Sequence, residues 1–157
     1  MPTRVLIDGR NVQHALARAA GAADLPTAAL IARLRAALAP PTEIELILDG
    51  HPGGSPSGRL APGLHVVFSR GATADDVIGE RVTEAFRSLG PVGAWSVVVV
   101  TDDREIRDHA RRSGVRVEGT AWLVDRLGRA AGGGGPAGPR TGGGTRIGNA
   151  APRGSKG

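Results

Sequence analysis

Three apolar runs in this chain end in an acid. Val5-Leu6-Ile7 leads into Asp8, Ile44-Glu45-Leu46-Ile47-Leu48 into Asp49, and Val97-Val98-Val99-Val100-Thr101 into Asp102 and Asp103. Four consecutive valines offer no polar face to water, so the last run suits a strand covered on both sides. Strands are expected over residues 3–8, 43–49, 64–68 and 96–102, with a small edge strand over 115–117. Helices are expected between them. Residues 11–22 are Ala-rich. Leu30, Ile31, Leu34 and Leu38 recur at helical spacing from about Pro26 until Pro40-Pro41 stops them. Thr73 caps a helix over 74–89, whose apolar face is Val77, Ile78, Val82, Ala85, Phe86 and Leu89. Further helices cover 104–113, stopped by Gly114, and 120–129. Buried strands alternating with helices predict an α/β fold with a mostly parallel sheet of about five strands. Residues 50–63, rich in Gly, Pro and Ser, read as a flexible flap, and they lack the GxxxxGK[ST] pattern of a P-loop.

Composition changes near residue 131. From there the chain reads AGGGGPAGPRTGGGTRIGNAAPRGSKG, with Ile147 its only sizeable apolar residue. Such a segment cannot offset its ordering entropy by burial, so a folded domain over residues 1–130 and a disordered Gly-rich basic tail over 131–157 are expected. The net charge of +5 belongs mostly to that tail, which carries Arg140, Arg146, Arg153 and Lys156 and no acid. The domain itself has 16 basic and 15 acidic residues, so the high isoelectric point does not by itself mark a nucleic-acid surface. The tail either adds sequence-independent attraction to phosphates or serves solubility. With no cysteine there is no disulfide partner and no thiolate metal site. No stretch approaches the roughly 20 apolar residues of a membrane span. No signal-peptide pattern is present, and a cytoplasmic protein is expected.

In a parallel sheet all C-terminal strand ends share one edge, where open α/β sheets bind their ligands. Asp8, Asp49 and Asp102 with Asp103 lie there, and Asp75 and Asp76 begin the helix that opens on the same edge. Carboxylates so gathered repel one another, raise some of their own pKa values and destabilise the fold. Bound Mg²⁺ or Mn²⁺, both oxygen-preferring, removes the conflict. The same ion can orient phosphate and generate hydroxide. Each acid taken singly has another reading, as a helix cap or Asx turn. Asn11, three residues beyond Asp8, is suited to bonding a carboxylate or phosphate, or to capping a helix. Thr101 offers a hydroxyl beside two acids, or is an ordinary strand residue. Glu80 lies four residues after Asp76 and is either a further acid at the site or an outward salt-bridge partner. Arg10, Arg70, Arg104 and Arg107 are the candidates for phosphate contacts, which orient RNA without reading its sequence. The four histidines, His14, His51, His65 and His109, have no metal-ligand spacing.

Val5-Leu6-Ile7-Asp8-Gly9-Arg10-Asn11, Leu48-Asp49-Gly50, Gly71-Ala72-Thr73-Ala74-Asp75-Asp76-Val77-Ile78 and Val99-Val100-Thr101-Asp102-Asp103-Arg104 follow one another in order. Together they resemble the YacP-like branch of the NYN domains, within the PIN-like nuclease superfamily, over about residues 3–125. The resemblance implies a PIN-like three-layer α/β/α sandwich and a metal-dependent endoribonuclease acting on single-stranded RNA, in some cases on the ribosome. It implies Asp8, Asp75 and Asp102 as catalytic, metal-holding acids, with Asn11 and Asp49 supporting and Asp76 or Asp103 replacing or assisting a neighbour. Two positions depart from the family pattern. Arg10 stands where an aromatic residue is expected. Asp103 follows Asp102 where a TSD-type sequence is more usual, which leaves the register open by one residue. Two other classes compete: an RNA-binding domain without catalysis, and a phosphatase on a Rossmann-like sheet. The haloacid dehalogenase form of the latter requires a DxD that Asp8-Gly9-Arg10 does not supply.

Overall fold

The computed structural model describes residues 4–132. In chain order the elements are β1 (Arg4–Asp8), α1 (Gly9–Ala19), α2 (Thr27–Ala37), β2 (Glu43–Leu48), β3 (Gly58–Ala61), β4 (Leu64–Phe68), α3 (Ala74–Ala94), β5 (Val97–Val100), α4 (Arg104–Arg112), β6 (Arg116–Glu118) and α5 (Thr120–Gly132). They form one six-stranded sheet in the order β3-β4-β2-β1-β5-β6, parallel except for β3.

The sheet has helices on both faces, and its pleat decides which side chains meet which layer. Val5, Ile7, Leu46, Val98 and Val100 pack with α1, α2 and α5, while Leu6, Ile47, Val97 and Val99 pack with α3 and α4. All four valines of β5 are fully buried, as a two-sided strand requires. β1 lies between β2 and β5, so the chain reverses its direction of travel across the sheet there. The crevice beside β1 and β5 is thus the topological switch point where α/β sheets hold ligands.

The expected sheet of about five strands gains a sixth. β3 lies in the segment expected to be a flap and pairs antiparallel with β4 at the sheet edge. It is four residues long and contributes only partly buried Leu60 and Ala61 to the core. A short edge strand needs no continuous apolar run, so its Gly and Pro surroundings masked it.

Two helix boundaries also differ. α1 begins at Gly9, immediately after the strand, because Asp8 itself is the N-cap. A β-carbon at Gly9 would overlap Leu48 Cδ2 and approach the Ile47 carbonyl oxygen to 2.9 Å. Glycine therefore lets the helix start directly against β2. α5 continues through Gly132, two residues past the expected start of the tail, and residues 133–157 of that tail lie outside the described residues. α3 runs past the expected stop at residue 89 only across a break, with Gly90 at φ 68° followed by Pro91. No helix among the described residues is long and apolar enough to cross a membrane.

Candidate functional site

Asp8 closes β1 and is only 3% exposed. Burial pushes its carboxyl above the usual range and the charge of Asp49 adds to this, while hydrogen bonds from Thr101 and Asn11 pull it back. Those bonds are specific. Asn11 Nδ2 donates to Asp8 Oδ2 at 2.6 Å, and Thr101 Oγ1 donates to the same oxygen at 3.0 Å. Oδ1 has only the Asn11 backbone N–H, at 3.4 Å. One carboxylate oxygen is thus clamped and the other is lightly held.

Thr101 is fully buried at the end of β5 and is tied from both sides. Its hydroxyl accepts from the Asp103 N–H at 3.0 Å, which leaves its single proton for Asp8. Asn11 makes a similar bridge: its Oδ1 accepts from the Asp102 N–H at 3.4 Å. Both residues therefore join the end of β1 to the end of β5 across the switch point.

Asp49 follows β2, and its Oδ1 accepts from the Ala74 N–H at 2.7 Å. This bond fixes the start of α3 beside the sheet edge, and Asp75 is in the helix's first turn. Asp75 has its pKa raised, first by partial burial and then by repulsion from Asp103, Asp8, Asp49 and Asp76 in that order. Asp76 is turned to a local task. It forms a capping box with Thr73, whose hydroxyl and backbone N–H both donate to Asp76 Oδ2. Those bonds lower its pKa.

The pleat separates Asp102 from Asp103. Leu6 and Val99 face α3 and α4, while Val98 and Val100 face the opposite layer; the same alternation continued past the strand ends sets Asp8, Thr101 and Asp103 with the former and Asp102 with the latter. Its Oδ1 accepts from the Thr120 N–H at 2.9 Å and its Oδ2 from the Thr120 hydroxyl at 2.5 Å, so it anchors the start of α5. Burial raises its pKa, but the Thr120 bonds, with the charges of Arg107 and Arg18, more than offset this and leave it lowered. Asp103 is instead the strongest charge acting on Asp75, and it also caps α4 by accepting from the Glu105 and Ile106 N–H groups.

The structure therefore brings Asp8, Asp49, Asp75 and Asp103 to one edge, with Asn11 and Thr101 among them, and directs Asp102 and Asp76 to helix starts. Among the described residues no three acidic or histidine side chains lie close enough to grip one ion directly. The donor set is nevertheless all carboxylate, with two members held above their ordinary pKa. Carboxylate oxygens are the donor type that hard divalent ions prefer.

Arg10, Arg70 and Arg104 are exposed near this edge, whereas Arg107 is half-buried and acts on Asp102. Glu80 is exposed on α3 and lines a groove of about 740 Å³ between α3 and α4, with Asp75, Gly79, Glu105 and His109. Sequence reasoning missed Thr120 and Ser69. Thr120 opens the expected last helix, a usual place for a capping hydroxyl. Ser69 is buried and its Oγ accepts from the Gly50 N–H at 3.0 Å, latching the loop after β4 to the end of β2. It also missed the salt bridges from Arg4 and Arg81 to buried Glu45, at 2.5 and 2.7 Å on the α3 side of β2. A glutamate inside an otherwise apolar strand was the signal for them.

The architecture is a three-layer α/β/α sandwich with acids along the C-terminal sheet edge. No protein-family model and no curated protein matches this sequence. Solved structures do match. The crystal structure of Rae1 (YacP) from Bacillus subtilis aligns with a TM-score of 0.57 at 17% identity, covering 81% of this chain and 74% of that one. A tryptophan-to-leucine mutant of the same protein aligns with a TM-score of 0.57 at 16% identity, covering 82% and 76%. The chain thus has the YacP-like NYN fold.

Proposed function

We propose that this protein is a Mg²⁺- or Mn²⁺-dependent endoribonuclease acting on single-stranded RNA. The observation that carries the reading is the set of four carboxylates delivered to the switch-point edge from four separate segments, with Asp8 and Asp75 raised in pKa by burial and mutual repulsion. Asp8, Asp49 and Asp103 also hold helix starts, but capping alone does not require their charges to be gathered at one edge. Asp8, Asp75 and Asp103 are the residues to hold the ion, with Asp49 beside them; Asp102, named by the family resemblance, supports α5 instead. Bound there, a divalent ion supplies an acidified water and neutralises charge on the phosphate.

The chain's own residues supply orientation. Asn11 and Thr101 fix one oxygen of Asp8 and leave the other lightly held. Arg10, Arg70 and Arg104 offer guanidinium groups to phosphates on either side of the scissile bond. Nothing in that set reads bases, so weak sequence preference is expected. Selectivity then comes from the substrate's context, and RNA on the ribosome is the context the YacP resemblance favours.

Purified protein should cut single-stranded RNA with Mg²⁺ or Mn²⁺, and EDTA should stop it. D8N and D75N should each abolish cleavage. Unchanged cleavage by both variants would sink the reading. The competing reading, an RNA-binding domain without chemistry, is favoured by the wide spacing of the acids. Binding without cleavage across Mg²⁺, Mn²⁺ and Co²⁺ would select it. Mapping new 5′ ends in RNA incubated with and without ribosomes tests the context.

A further inference from the structure

Arg70 is the only non-glycine among the described residues with a left-handed backbone, at φ 58°. Eight other described positions have positive φ, and all eight are glycine. An L-residue there is strained by Cβ contact with its own backbone. The loop enforces the conformation. The Arg70 N–H donates to the Gly50 carbonyl at 2.7 Å, the Ser69 N–H to the Leu48 carbonyl at 2.9 Å, and the Ala72 N–H to the Ser69 carbonyl at 3.1 Å.

The side chain returns nothing to the fold. Arg70 is exposed, and among the described residues its guanidinium makes no hydrogen bond or ion pair. Its position is informative. The backbone bond to Gly50 sets it against the residue after Asp49, and Asp49 in turn holds Ala74 at the start of the helix that carries Asp75. A cation fixed in a costly conformation, unpaired and beside the acidic edge, has an external anion as its natural partner.

We propose that Arg70 is a phosphate-contacting residue on the RNA path, and that the loop holds it in a strained conformation to place it there. This rests on the RNA reading above and deepens it: at Arg70 the contribution to binding is opposed to the contribution to stability. Glycine at position 70 keeps the backbone conformation, removes the strain and removes the charge. Lysine keeps the charge and loses the two-pronged geometry.

The test uses the full chain as wild type, R70G and R70K. Binding of a labelled single-stranded RNA is followed by fluorescence anisotropy across a salt series, in EDTA and in Ca²⁺. R70G should leave the melting temperature equal to wild type or up to about 2 °C above it, because relief of the strain is partly offset by glycine's larger entropy loss on folding. It should weaken RNA binding about five- to tenfold and lower the slope of log Kd against log salt by about 0.7, one phosphate's worth on a single strand. R70K should keep the slope and recover part of the affinity. A lower melting temperature for R70G, or wild-type affinity and slope, overturns the proposal while leaving the nuclease reading standing. Wild-type protein that binds no RNA in either buffer overturns both.

Discussion

The Thr101 hydroxyl lies between Asp8 and Asp103, donating to Asp8 Oδ2 and accepting from the Asp103 N–H, each at 3.0 Å. With the Asp103 N–H donating to its oxygen, the hydroxyl proton is left to point at Asp8. The bond opposes the burial that raises Asp8. T101V removes the donor and leaves the burial, so Asp8 should rise further. Asp8 is proposed to work ionised, so the acid limb of the cleavage profile should move to higher pH. T101S should keep the wild-type limb. The stability cost of T101V should be roughly 1–2 kcal/mol. A rate–pH series for the three proteins checks this, and an unshifted acid limb in T101V counts against the clamp.

Asp75 makes a different case, because it has no hydrogen bond among the described residues and its raised pKa comes from burial and then from its acidic neighbours. An acid with a folded pKa above its unfolded value of 3.8 costs stability when ionised. That cost is full above the folded pKa and vanishes below 3.8. At neutral pH, D75N should therefore melt higher than wild type, by about 1–2 °C once solvent screening is allowed for. Mg²⁺ should raise the melting point of wild type more than that of D75N. Thermal melts of both proteins with EDTA and with Mg²⁺ measure it. A D75N protein that melts lower in EDTA would show that repulsion is not what the edge contains.

Glu45 links the sheet to α3 far from that edge. Burial alone would raise its pKa, but hydrogen bonds from Arg81 and Arg4, with their charges, more than offset this and leave it lowered. An acid with a depressed folded pKa contributes stability above its unfolded value, here 4.5, and loses that contribution as pH falls through the folded value. Urea midpoints should thus decline below about pH 4.5, and E45A should flatten that decline. At pH 7, E45A should cost roughly 2–4 kcal/mol, since it leaves two arginines beside an emptied, buried position. Equal acid sensitivity in E45A and wild type would assign the decline to other groups.

Much of this architecture was legible because it follows from burial. A two-sided strand is mostly apolar, so β1, β2 and β5 announce themselves despite Glu45 within β2, and so do the acids that stop them. β3 was not legible: a four-residue edge strand buries too little to leave a pattern. The division of labour between Asp102 and Asp103 was within reach. Counting the pleat from Val99 through Thr101 puts Asp103, not Asp102, on the face shared by Leu6 and Asp8. The family resemblance named Asp102 and left the register open by one residue, and spacing alone did not show that α5 returns to the opposite face with Thr120 at its start. That depends on tertiary packing, which no local spacing encodes.

That division gives a sharp contrast between neighbours. Asparagine caps a helix about as well as aspartate, so D103N should keep α4's start while removing one charge from the edge. It should fold with near wild-type stability and lose cleavage by about 10²-fold or more, the scale expected when a metal-site carboxylate is neutralised. D102A removes both acceptors from Thr120 and frees the start of α5. It should therefore lose stability, by about 1 kcal/mol given the exposure of Asp102. Cleavage measured well below its melting temperature should stay within severalfold of wild type. Melts and single-turnover cleavage of the two variants side by side decide the matter. The reverse pattern, with D102A inactive but stable and D103N active, would return the catalytic role to Asp102 and mean that the pleat at the end of β5 runs one residue out of step with the arrangement described.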